Sequence, residues 1–315
     1  MRQINLGKSG LIAPEIALGC MRMRDLSVED ACGVLRAALD SGMNFFDHAD
    51  IYRSPQGVAE EIFGRAVKQM GLPRNAITIQ TKCGIHRVGH PQKVMAYEFT
   101  TKHIMDGVEG SLKRLQTDYV DLFALHRPDT LMEPEEVAEI FETLYAAGKV
   151  RYFGVSNFTP GQMELIQKYT GHKLIVNQLQ FSLVHTGMID AGFNANTRRP
   201  GSIDHDGGIL DYCRLKDVTI QAWTPFRAAV STGGTFLDHP DYPELGAKLG
   251  ALAEQYDVSR EAIAAAWILR HPAQIQVIIG SMNPERIQRI AKAAEIRLTH
   301  AEWYELYLAA GNTLP

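Results

Sequence analysis

Cysteine is scarce in this sequence. Cys20, Cys32, Cys83 and Cys213 are the four in 315 residues, and no two form a CxxC pair. That spacing suits a reducing compartment better than a disulfide framework. Charge of one sign is equally thin: the net charge is −4 and no block of like charges occurs, which argues against a nucleic-acid surface or a polybasic membrane anchor. No apolar run approaches the ~18 residues that span a bilayer, and the opening MRQINLGKSG lacks the apolar segment of a secretory leader. No internal repeat or low-complexity tract stands out. The expectation is a soluble cytoplasmic protein. What remains is an ordinary globular composition, 45% hydrophobic and 22% charged, enough for a sizeable core.

Pattern along the chain is more specific. Residues 2–6 and 11–16 flank Gly7-Lys8-Ser9-Gly10 and read as a short hairpin. A first strand over 17–21 leads to an amphipathic helix over 28–41. Strand and helix then alternate: 44–47 with 57–70, 77–82 with 100–116, 119–126 with 134–147, and 150–155 with 160–169. Strand 174–180 precedes helix 208–216, 219–224 precedes 259–270, 275–280 precedes 284–294, and helix 299–310 follows. Pro134 and Pro160 occupy first helical turns, and Gly148 stands where a helix ends. Eight strand-then-helix units predict an α/β fold, a (β/α)8 TIM barrel, with the hairpin plugging its bottom and residues 1–315 forming one domain. Segments 190–208 and 226–242, the latter with a Gly233-Gly234 hinge, are expected as loops over the active-site face.

The chemistry collects at strand ends. NFFDHADIY places Asp47 at the end of one strand and Tyr52 in its loop; the next two strands close on Lys82 and His126. If these four converge, Asp47 keeps Lys82 charged, the ammonium lowers the Tyr52 pKa, and His126 orients an oxygen that receives the phenolic proton. This is a site for carbonyl reduction, with hydride supplied by a cofactor. Cys83 reads as packing and His48 as a satisfied polar residue. His86 and His90 have the spacing of a metal pair, but no third ligand is evident, and no metal is expected.

At this level the sequence resembles the aldo-keto reductase superfamily over essentially its whole length. DHADIY, TKCG and DLFALHRPD are similar to the family's tyrosine, lysine and histidine segments, and GKVRYFGVSNF and VNQLQFS to its nicotinamide-carboxamide segments. The resemblance implies an NADP(H)-dependent reductase of small-molecule carbonyls, with Tyr52 as general acid, and agrees with the absence of a GxGxxG after any strand. It further implies that Ser156, Asn157 and Gln178 hold the carboxamide, that Trp223 stacks on nicotinamide in place of a tyrosine, and that Ser281 and Arg286 in GSMNPERI meet the adenosine 2′-phosphate at a helix N-terminus. Gly280 departs from a lysine common there, and Arg289 and Ile290 stand at adenine-recognition positions.

The short tail after residue 310 implies an open substrate site, for which Met21, Met23, Phe181 and Phe226 are candidate lining residues. Two other readings compete: a Schiff-base lyase using Lys82, and a nicotinamide-binding regulatory subunit with little turnover.

Overall fold

A computed structural model describes residues 1–52, 57–88, 94–228 and 233–315, apart from the side chains of residues 87, 88 and 94. The hairpin is β1 (Gln3–Asn5) and β2 (Ile12–Pro14), antiparallel with Gln3 opposite Pro14. Barrel strands are β3 (Ile16–Gly19), β4 (Phe45–Asp47), β5 (Thr78–Cys83), β8 (Val120–Leu125), β9 (Val150–Ser156), β10 (Leu174–Gln180), β11 (Thr219–Trp223) and β12 (Gln276–Ile279). They close in chain order, with every barrel pairing parallel. Between β5 and β8 a second hairpin, β6 (Ile85–Val88) and β7 (Val94–Tyr97), stands outside the barrel.

The helices are α1 (Val28–Asp40), α2 (Val58–Gln69), α3 (Thr101–Leu115), α4 (Pro134–Ala146), α5 (Pro160–Gln167), α6 (Gly187–Phe193), α7 (Ile209–Leu215), α8 (Pro243–Gln255), α9 (Arg260–Leu269), α10 (Pro284–Ala291) and α11 (His300–Ala309). Their starts are chemically specified. The side chains of Ser27, Thr100, Ser259 and Asn283 accept from backbone N–H groups in the first turns of α1, α3, α9 and α10, and Thr159 and Thr299 complete capping boxes with Gln162 and Glu302. Each such cap contributes about 1 kcal/mol. Gly64 on α2 lies so close to the Arg114 carbonyl that a Cβ would meet its oxygen at 2.5 Å, which accounts for glycine in mid-helix.

The barrel interior is layered. At the bottom, Leu6 and Ala13 of the hairpin pack on Ala17, Phe45, Leu122 and Val176. Gly7, at φ +59, donates to Thr219 Oγ1, at the start of β11, and accepts from Lys173 Nζ, just ahead of β10, so the plug sits at the strands' N-terminal end as expected. A larger apolar shell fills the space between strands and helices.

All eight barrel strands fall where the alternation put them, with two boundary shifts of note. The first strand ends at Gly19, and Met21 belongs to a 3-10 turn; the segment expected to loop from 190 begins inside α6. The β6–β7 hairpin and helices α6 and α8 were absent from the sequence reading. The hairpin β6–β7 lies in a stretch that Gly89 and Pro91 marked as loop, and α8 carries Gly246 and Gly250, which weaken its helical signal. Its Leu245, Leu249 and Leu252 are buried, so packing overrides propensity. His90 and residues 229–232 lie outside the described residues.

Candidate active site

Strand register brings the strand-end residues together. Asp47 pairs opposite Gly19 on one side and Gln80 on the other, two residues before Lys82; Ser156 pairs opposite Gln178, and Gln178 opposite Gln221. Pairing continues past β4, because the backbone N–H groups of His48 and Asp50 donate to the carbonyls of Gln80 and Lys82. That extension holds the loop leading to Tyr52 against β5.

Lys82 is fully buried, and its Nζ donates to Asp47 Oδ1 at 2.5 Å and to the His48 carbonyl at 2.8 Å. Asp47 Oδ1 also accepts from Gln80 and Gln178, at 2.7 and 3.1 Å. Below it, Gln80 and Gln221 exchange reciprocal amide bonds, and Gln221 continues to Gln276, which donates to the Pro14 carbonyl. A buried ion pair needs further hydrogen bonds to offset its desolvation; Gln80, Gln178 and the His48 carbonyl supply them, and the amide ladder holds Gln80 in place. The Tyr52 ring lies 5.4 Å from Lys82 Nζ, and the His126 ring packs edge-on to it at 6.1 Å. All four candidates therefore converge.

Titration behaviour departs from one expectation. Burial, then Asp47, pushes the Tyr52 phenol well above its ordinary range. Burial and the surrounding anions, not the nearby Lys82, set the direction of the shift. Burial pulls Lys82 below the usual lysine range while Asp47 opposes the shift. His126 is held well below the usual histidine range by burial and by the Lys82 and Arg127 cations, so its imidazole is neutral, and its Nδ1 is buried without a partner among the described residues.

Next to the four lies a polar arc. Asn157, at φ +64, a conformation strained for a residue with a side chain, turns the chain off β9. Its Nδ2 donates to Ser156 Oγ at 2.8 Å, its Oδ1 accepts from Trp223 Nε1 at 3.1 Å, and Ser156 Oγ donates to the Gln178 carbonyl. Ser156, Asn157, Gln178 and Trp223 are thus one linked group, in which Gln178 also reaches Asp47. His48 is not the satisfied polar residue expected, since neither ring nitrogen has a partner among the described residues. Met23 and Phe181 are fully buried core rather than lining, whereas Met21 is exposed and Phe226 half-buried.

Ser281 and Arg286 stand apart from this arc at the start of α10. Asn283 caps that helix through the Arg286 N–H at 2.8 Å, and its own N–H donates to Ser281 Oγ at 3.2 Å. The Arg286 guanidinium is half-exposed and only loosely paired, 3.5 Å from Glu261. A cavity of about 510 Å³ beside α6 and α11, lined by Phe193, Asp204, His271 and Trp303 among others, includes none of the ten candidate residues.

Residues missed from sequence are Gln80, Gln221, Gln276 and Arg127, whose guanidinium lies 5.8 Å over the Trp223 ring. The glutamines were signalled by a polar residue recurring inside β-branched runs.

Comparison with known proteins follows the same lines. The sequence profile of the aldo/keto reductase family matches residues 15–307. The oxidoreductase YdhF of Escherichia coli K12 is 34% identical, with 98% of each chain covered. A 6-dehydroglucose reductase of Agrobacterium fabrum C58 is 35% identical, covering 88% of this chain and 86% of its own. Among solved structures, an aldo/keto reductase from Klebsiella pneumoniae in complex with NADP and acetate superposes with a TM-score of 0.76 at 23% identity, over 99% of this chain and 96% of that one.

Proposed function

From the premise that this chain belongs to the aldo/keto reductase family, we propose that it reduces small-molecule aldehydes or ketones to alcohols with NADP(H). The observation that carries the reading is a buried Lys82 held between Asp47 and the Tyr52 ring, with the phenol kept protonated. NADPH, when bound, supplies hydride to the carbonyl carbon. Tyr52 gives its proton to the carbonyl oxygen as negative charge develops there, and solvent restores it. The Lys82 ammonium, held by Asp47, stabilises that charge. Neutral His126 orients the oxygen by hydrogen bonding. The balance is carbonyl, NADPH and a proton in, alcohol and NADP+ out.

The residues present fit the cofactor. A carboxamide needs paired donors and acceptors, and the Ser156–Asn157–Gln178 arc offers both, with His126 Nδ1 also lacking a partner among the described residues. The capped N-terminus of α10, with Ser281 and the loosely paired Arg286, suits a phosphate. The relative described as a 6-dehydroglucose reductase and the NADP-bound Klebsiella structure support the reaction class and the cofactor. A Schiff-base role for Lys82 is disfavoured because its ammonium is engaged by Asp47 and the His48 carbonyl.

The test is NADPH consumption with 4-nitrobenzaldehyde and with a dicarbonyl. Turnover is expected with at least one of them. Tight NADPH binding without turnover on a broad carbonyl panel would overturn the reading and favour a regulatory nicotinamide-binding subunit.

A further inference from the structure

The outlying hairpin carries a constellation that carbonyl reduction does not use. His86 projects from β6, Glu98 follows β7, and His103 lies in the first turn of α3. One ligand atom from each lies within 4.8 Å of the others. His86 Nε2 is 3.1 Å from Glu98 Oε2, the His86 and His103 ring centroids are 4.6 Å apart, and all three side chains are half-buried. His103 Nε2 is buried and has no hydrogen-bond partner among the described residues. Ligand atoms around a tetrahedral zinc ion, at bonds of about 2.0–2.1 Å, sit roughly 3.4 Å apart, so a contraction of at most about 1.4 Å, within the reach of side-chain rotation, closes the set.

The surroundings orient the donors. Thr100 Oγ1 donates to Glu98 Oε1 at 2.7 Å and accepts from the His103 N–H at 3.3 Å, aiming the carboxylate while capping the helix that presents His103. The Glu98 N–H donates to the Gly84 carbonyl. Gly84, at φ +107, cannot be replaced without strain, since a Cβ would meet the Phe99 ring at 2.4 Å. Such outer partners fix ligand geometry as much as the ligands do.

We propose that His86, Glu98 and His103 form a zinc-binding site that fastens the β6–β7 hairpin to the N-terminus of α3. Two imidazoles and one carboxylate favour a borderline ion such as Zn2+ over Mg2+ or Ca2+, which prefer all-oxygen shells. Water completes the coordination. Binding takes neutral imidazoles and an ionised carboxylate, so uptake of the ion is coupled to pH. The consequence is mechanical: Phe99, adjacent to Glu98, stacks on Phe158 at 6.2 Å and 5°, so the ion steadies the flank of the Asn157 turn.

Zn2+ titration of the chelator-treated full chain by calorimetry tests this, with amide hydrogen exchange in β6 and β7 as a second readout. Wild type should take up one equivalent saturably and exchange more slowly in the hairpin. His86→Gln and His103→Gln should each weaken uptake on the order of 100-fold, and Thr100→Val, which leaves the ligands in place, about 10-fold. His300→Gln, an exposed histidine elsewhere, should change nothing. Thermal melts of the zinc-free variants report folding. Absence of saturable uptake by wild type, or uptake undiminished in both folded histidine variants, would overturn the site and leave a His86–Glu98 ion pair with His103 packed beside it.

Discussion

The barrel centre and the start of α10 handle charge in opposite ways. At the centre, Asp47 and Lys82 are fully buried, and Asp47 Oδ1 alone receives three donors, with an amide ladder running beneath to the hairpin plug. At α10, Arg286 is half-exposed and its one ion pair among the described residues, to Glu261, is 3.5 Å long. Buried charges in a poorly screened interior must be over-determined, because any unmet group carries the full cost of desolvation. A screened surface arginine contributes little to the fold and is free to exchange its partner for a ligand. The same chain thus separates a rigid centre, suited to one proton transfer, from an adjustable edge suited to recognition.

The comparison breaks most sharply at Lys82. Lys82→Met leaves Asp47 buried without its cation and should cost about 3–5 kcal/mol of stability, measured by urea denaturation. The double change Lys82→Met with Asp47→Leu should recover part of that loss, and a single variant as stable as wild type would show that the pair is not over-determined. Gln221→Leu should cost about 1–3 kcal/mol by orphaning the amides of Gln80 and Gln276. An unchanged midpoint would mean the ladder is incidental.

His48 sharpens the comparison with pH. Burial, then Lys82, lowers its pKa to about 3. The folded state therefore binds fewer protons than the unfolded chain, so this contribution is complete above about pH 6.5 and is lost as pH falls toward 3. The steepest loss is about 1.4 kcal/mol per pH unit. His48→Phe, which can keep the edge contact with Phe63, should flatten the acid limb of a stability-versus-pH profile. At the adjustable edge the effect is smallest: Arg286→Ala should leave stability unchanged, raise the NADPH KM by about 10-fold and hardly alter that for NADH. Equal losses for both cofactors would remove the assignment to the 2′-phosphate.

How much was legible follows the same division. Period and punctuation marked the eight strands, because most barrel strands are β-branched or aromatic runs bounded by turn residues, and the strand-end positions of Asp47, Lys82 and His126 followed from them. The amide ladder was only faintly legible: Gln80, Gln221 and Gln276 recur as polar residues inside strand runs, but glutamine is commonly a surface residue and only closure of the barrel turns these three inward beside Gln178. The sign of the Tyr52 shift was missed for a related reason. Sequence shows that a lysine is near, but not that the phenol is buried beside several carboxylates. Helices α6 and α8 and the β6–β7 hairpin escaped because glycines and a proline masked elements that tertiary packing sustains, and without the hairpin nothing brought His86 to Glu98 and to His103 of the expected helix.

The account rests on Tyr52 as the proton donor, and the most direct measurement is single-turnover NADPH oxidation with a carbonyl substrate by wild type and Tyr52→Phe, with cofactor affinity measured on both. The account predicts a rate reduced by two to four orders of magnitude, roughly the contribution of a positioned acid, at unaltered NADPH affinity. An undiminished rate in Tyr52→Phe would contradict it and move the proton source elsewhere.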